Sequence, residues 1–225
     1  MKRRLTLVMI AMIAICLGAS SSLAQVGDEK DPELRFELLR LVRDDQDIRG
    51  KFNAFRKEHG LFGIDNKTMN EKMNNDPELK KGFLALANRM QELDDSRLLR
   101  MKEIITKFGW PGRSLVGTEA AAAAWLIVTH AVRDVTFQRL ALEAMKKLPP
   151  CEVENSHLAD LTDRVLIGEG KKQLYGTMLD VKEDGKFAPK PIEDEANVDK
   201  RRASLGLQPL AEYIRRANKA ILGKQ

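Results

Sequence analysis

The stretch Thr118–Ala131, TEAAAAAWLIVTHA, constrains the fold more than any other part of the chain. Alanine is the strongest helix former and carries almost no side-chain bulk. Five in succession, followed by Trp125-Leu126-Ile127-Val128, predict a helix that neighbours approach at close range, small along one stretch and bulky along the next. Such a segment belongs in the interior as a central helix. Its apolar run stops at Thr129 and His130, well short of the roughly 20 residues that cross a bilayer.

Helices with solvated faces are needed to enclose it. The tetrad Asp-Pro-Glu-Leu occurs at Asp31–Leu34 and again at Asp76–Leu79, each time placing an aspartate to cap and a proline in the first turn, where its missing N–H costs nothing. After the first, Leu34, Leu38, Leu41, Ile48, Phe52 and Phe55 form one apolar stripe. Glu58–Asn66, with two glycines and Asp65-Asn66, reads as a connection. After the second tetrad, Leu79, Phe83, Leu86 and Met90 lead into a helix continuing towards Phe108. The many charges of residues 31–108 read as a solvated helix surface.

Gly109-Trp110-Pro111-Gly112 builds a turn before the alanine-rich helix. Asp134 is placed to cap the next helix, which Pro149-Pro150 ends. Another helix starts at Asn155 or Ser156 and stops at Gly168. KQLYGTMLDV and FAPKP then flank Asp184-Gly185, a favoured tight-turn pair, and predict a hairpin near 173–190. Two final helices are separated at Gly206 and Pro209, the second closed by Gly223. The expected fold is mostly α, a multi-helix single domain with one small two-stranded β-hairpin. Residues 31–108 form long charged amphipathic helices and 109–221 the helical core.

The first 24 residues are set apart from this fold. Lys2-Arg3-Arg4, an apolar stretch and Ser22-Leu23-Ala24 read as a signal peptide cut after Ala24, followed by a flexible tail over 25–30. Export to the periplasm or the outside is the expected localisation, without a stable membrane span. Three of the 38 basic residues lie in the leader, so the mature chain has 35 against 33 acids, a net charge of +2. That balance gives no electrostatic footprint for nucleic acid. Cys151 is the only cysteine after the leader and has no partner for a disulfide.

The chemistry-bearing residues cluster in two places. His157, Asp160 and Arg164 share one helix face, because residues seven apart differ by only about 20°. The bland reading is an ordinary Asp160–Arg164 pair beside a helix-start histidine. His130 ends the alanine-rich helix. The chain has no H-E-x-x-H spacing, no G-x-S-x-G elbow and neither glycine-rich phosphate loop, so neither metal nor cofactor is expected.

Gly-Trp-Pro-Gly at 109–112, Ala124-Trp125-Leu126-Ile127 running to His130-Ala131, Tyr175-Gly176-Thr177 and the closing Leu205-Gly206-Leu207 resemble an uncharacterised bacterial domain family of unknown function. The resemblance covers about residues 95–215 and more weakly takes in Asp45-Gln46 and Arg49. It implies marked positions at Trp110, Gly112, Trp125, His130, Phe137, Gln138, Asp163, Arg164, Tyr175, Gly176 and Thr177. Thr129 and Met178 stand where the family carries glutamine.

Two function classes follow. One is an exported small-molecule binding or hydrolytic domain, with His130, Asp163 and Arg164 catalytic, and His157, Tyr175, Thr177, Trp110 and Gln138 binding a ligand with an anionic or sugar-like group. The other is a non-enzymatic helical domain that binds an envelope protein through its charged N-terminal helices.

Overall fold

A computed structural model describes residues 30–62, 64, 66–182 and 186–222. Among them are eight α-helices and one two-stranded antiparallel hairpin, so the fold is mostly α as expected. The chain divides into two compact units, one ending at Leu161 and the other beginning at Thr162.

In the first unit, α1 (Pro32–Glu58) and α3 (Pro77–Phe108) open with the same cap. The Leu34 N–H donates to Asp31 at 2.9 Å, and the Leu79 N–H donates to Asp76 at 2.9 Å. Each cap satisfies one of the N–H groups that a helix start leaves without a partner. Leu34, Leu38, Ile48 and Phe52 are buried along α1, and that face packs against α3 and α4 (Arg113–His130). Between α1 and α3 lies α2 (Asn66–Asn75), a helix that begins where the Glu58–Asn66 connection ends and that the apolar pattern does not single out. Its ten residues include four asparagines, and its anchor is Met73, buried with Leu61 and Leu79.

The alanine-rich helix is interior: Ala120, Ala121, Ala123, Ala124, Ile127 and Val128 are all buried. Gly117 breaks its regularity at φ 78°, leaving a short turn over 113–116 ahead of the main helix. The left-handed region is open to glycine at no steric cost. Helix α5 (Val135–Lys146) starts where Asp134 accepts from the Phe137 N–H at 2.9 Å. Helix α6 (Asn155–Gly168) follows.

The second unit holds the C-terminal part of α6, the hairpin of β1 (Leu179–Val181) and β2 (Phe187–Pro189), then α7 (Val198–Ser204) and α8 (Leu210–Leu222). Leu179 pairs with Pro189 and Val181 with Phe187; Asp184-Gly185 and Gly223 lie outside the described residues. Ile192, Val198 and Leu210 form its apolar centre, with Tyr213 and Ile214 packed on it. Asn218 of α8 accepts from the Phe187 N–H at 2.7 Å and donates back to its carbonyl at 3.2 Å, tying α8 to β2. Among the described residues no helix is long and apolar enough to cross a membrane.

Candidate functional site

Three helices of the first unit bring five ionisable side chains together. Asp45 and Arg49 come from α1, Asp94 and Arg97 from α3, and His130 is the last residue of α4. His130 Nδ1 lies 3.1 Å from Asp45 Oδ1. Arg49 donates through Nε to Asp45 at 3.0 and 3.2 Å and through Nη2 to both oxygens of Asp94 at 2.7 and 2.9 Å. Arg97 Nη1 bridges Asp45 Oδ1 and Asp94 Oδ1, 3.4 Å from each. Gln46 Nε2 donates to Asp45 Oδ2 at 2.8 Å.

These charges overturn the reading of residues 31–108 as purely solvated at their polar positions: Asp45, Arg49 and Arg97 are buried. The accessible edge of the cluster is formed by the Asp94 and His130 side chains, 16% and 11% exposed.

Burial by itself raises the Asp45 carboxyl, but the His130 hydrogen bond and the charges of His130, Arg49 and Arg97 outweigh it and hold Asp45 below the ordinary aspartate range. Burial holds His130 below the ordinary histidine range, against the hydrogen bond and charge of Asp45, which pull it up. Asp94 is pushed up by burial, and the Arg49 charge offsets this only in part. An ionised Asp45 can only accept, so the neutral imidazole places its proton on Nδ1 and leaves the Nε2 lone pair available. Among the described residues Nε2 has no hydrogen-bond partner. An imidazole held in this way can take up a proton at Nε2.

Donor atoms of Asp45, Asp94 and His130 lie within 4.8 Å of one another, close enough to surround one metal ion. Arg49 and Arg97 already hold both carboxylates and balance their charge, so a divalent cation would have to displace guanidinium groups.

The other expected residues occupy distinct settings. Gln138 is buried and donates to the carbonyls of Val128 and Thr129 at 3.1 and 3.4 Å, closing the end of α4 next to His130. Thr129 donates its hydroxyl to the Leu126 carbonyl at 2.8 Å. Trp110 is buried in the turn before α4. His157 stacks on Trp125 with ring centroids 3.9 Å apart and planes within 6°. Burial carries its pKa down to about 4, against the pull of Asp160 and with a small push from Arg113.

In the second unit, Asp163 is fully buried and organises the Leu174–Met178 segment. It accepts from the N–H groups of Leu174, Tyr175 and Thr177 at 2.8 to 3.0 Å and from the Thr177 hydroxyl at 2.8 Å. Burial pushes its carboxyl up, and those donors pull the other way. Arg202 donates to the Tyr175 carbonyl at 2.6 Å, and the Tyr213 hydroxyl donates to that of Thr177 at 3.0 Å. Met178 is buried, bonded through its N–H and carbonyl to the side chain of Gln173. The Tyr175 side chain and Arg164 are half-buried.

Two of the surface cavities among the described residues are lined by other side chains. One of about 450 Å³ is lined by residues including His59, Glu71, Lys72 and Asp76, the other of about 260 Å³ by residues including Asp31, Glu37, Arg100 and Lys107. His130 lines neither.

The sequence pattern does not single out Asp94 or Arg97, and it points to Asp45 and Arg49 only through the resemblance. One signal was present: Asp45 stands seven residues after Leu38 and seven before Phe52, on the buried stripe itself. A carboxylate at a core position is informative because buried charges need partners.

No curated protein and no solved structure matches the chain. A family model covers residues 32–224, including all five side chains of the charged cluster. The chain therefore belongs to the family of unknown function DUF6624.

Proposed function

We propose that this is a small-molecule binding or hydrolytic domain whose working base is His130. The observation that carries the reading is the 3.1 Å contact between His130 Nδ1 and the buried Asp45, with Nε2 unengaged at the accessible edge of the cluster. Asp45, rather than Asp163, is the carboxylate that orients the imidazole. Arg49 and Gln46 hold Asp45 in place, so the imidazole keeps one orientation. Water is the attacking group that Nε2 would activate.

A panel of carboxylic esters, phosphomonoesters and amides, assayed with the wild-type chain and His130→Gln, tests the reading. A positioned base contributes about 10²- to 10⁴-fold, so turnover should fall at least a hundredfold in the variant. Equal turnover in both proteins would overturn it.

A second reading, a non-enzymatic interaction domain, draws support from Phe36 on α1 and Leu99 on α3, which are 67% and 63% exposed. It requires His130→Gln to leave partner binding intact. Export is part of both readings and rests on the basic, apolar and small-residue order of residues 1–24. N-terminal sequencing of the protein from the periplasmic or secreted fraction should begin at Gln25.

A further inference from the structure

We infer that the five-residue charged cluster receives an oxyanion of its ligand, a carboxylate or a phosphate group, on the guanidinium of Arg97. The inference deepens the reading of His130 as the working base and rests on it for the location of the site.

A count of donors and acceptors carries the argument. Every acceptor oxygen is engaged: Asp45 Oδ1 takes Arg49, Arg97 and His130, and Oδ2 takes Gln46 and Arg49. Asp94 takes Arg49 on both oxygens and Arg97 on one. The donors are not. Arg97 is 4% exposed, and among the described residues its buried Nη2 has no hydrogen-bond partner. Among the described residues Arg49 Nη1 meets only the thioether sulfur of Met90 at 3.4 Å, and a thioether is a weak acceptor.

Buried polar groups are paired as a rule, so the partner this centre calls for is an acceptor. A cation supplies no acceptor and competes with both guanidinium groups for the same carboxylates. An oxyanion supplies two or three acceptor oxygens and matches the planar fork of arginine. Because Arg97 Nη1 touches the same Asp45 oxygen as His130 Nδ1, the anion would lie near the imidazole, with the Asp94 and His130 edge as its entry.

Isothermal titration calorimetry of the full chain with inorganic phosphate and with acetate, in chloride buffer at constant ionic strength, tests this. Saturable binding of at least one is expected, weakened at least tenfold in Arg97→Gln. Phosphate binding by itself identifies a phosphate ester, and acetate binding by itself a carboxylate. If circular dichroism shows Arg97→Gln unfolded, Arg97→Lys, which keeps the charge and loses the fork, should show the same weakening. In the wild type the ¹⁵N resonances of the Arg97 guanidinium should shift on titration.

Turnover that depends on His130 without saturable binding of either anion would overturn this inference while leaving the base reading intact. Anion binding lost in Arg97→Gln, with turnover indifferent to His130, would uphold the inference and overturn the base. Saturable stabilisation by Zn²⁺ or Mn²⁺, abolished in Asp94→Asn with both anions silent, would assign the site to a metal instead.

Discussion

His130 Nδ1 and Asp45 Oδ1 meet at 3.1 Å across 85 residues of sequence, joining the end of the interior helix α4 to the middle of α1. Asp45 is also where Arg49 and Arg97 converge. Removing its charge while keeping its shape therefore leaves two buried guanidinium groups short of a counter-ion. Breaking a buried pair from one side costs about 3 to 5 kcal/mol. Asp45→Asn should lose stability of that order in urea unfolding, and a change within about 0.5 kcal/mol would show that the cluster is solvated in solution.

His157 gives a pH prediction with a definite sign. Its pKa falls from an ordinary 6.5 to about 4 on folding, so the unfolded chain holds the extra proton between those values. The stability tied to this group is complete above about pH 6.5 and is lost as the pH drops through about 4, an effect of about 3 kcal/mol. His157→Phe keeps a ring on Trp125 and cannot titrate. Its unfolding free energy should fall less than that of the wild type between pH 6.5 and 4; parallel profiles would refute the half-buried, neutral assignment.

Gly176 has φ 72°, and a Cβ there would stand 2.7 Å from Leu210 Cδ1 and 3.1 Å from Ile192 Cδ1. Both the backbone and the space demand glycine. Gly176→Ala should cost about 2 kcal/mol or more, with faster hydrogen exchange at the Tyr175 and Thr177 amides. An unchanged melting curve would contradict the packing around Leu210.

Asp163 satisfies three backbone N–H groups and one hydroxyl of a single turn of chain. Asp163→Asn turns one oxygen into a donor facing donors. A loss of about 3 kcal/mol is expected, and exchange protection at Leu174, Tyr175 and Thr177 should fall together. Protection that survives would mean that Gln173 and Arg202 hold the segment without it.

Local rules made much of the fold legible. Both Asp-Pro-Glu-Leu caps, the Asp134 cap and the interior placement of Ala120–Ala124 follow from single-residue chemistry acting over three or four positions. Helix α2 was hidden because Asn66–Asn75 is polar and offers only Met69 and Met73 at helical spacing. The charged centre was hidden for a different reason. Asp45 on α1 and Asp94 and Arg97 on α3 continue the apolar rows of their own helices, and a charge in such a row looks the same in sequence whether it faces water or a partner. Only the packing of α1 against α3 and α4 decides between them. His130 was legible as a candidate because it ends a run with no other ionisable group, but its carboxylate partner lies 85 residues away.

The most direct measurement is a pH titration of the His130 imidazole by ¹⁵N NMR in the wild-type chain. The expected result is a neutral ring at pH 7 with the proton on Nδ1 and a bare Nε2, and a midpoint below the ordinary 6.5. A proton on Nε2, or an imidazolium persisting above pH 6.5, would contradict it and leave the cluster as a structural ion-pair network.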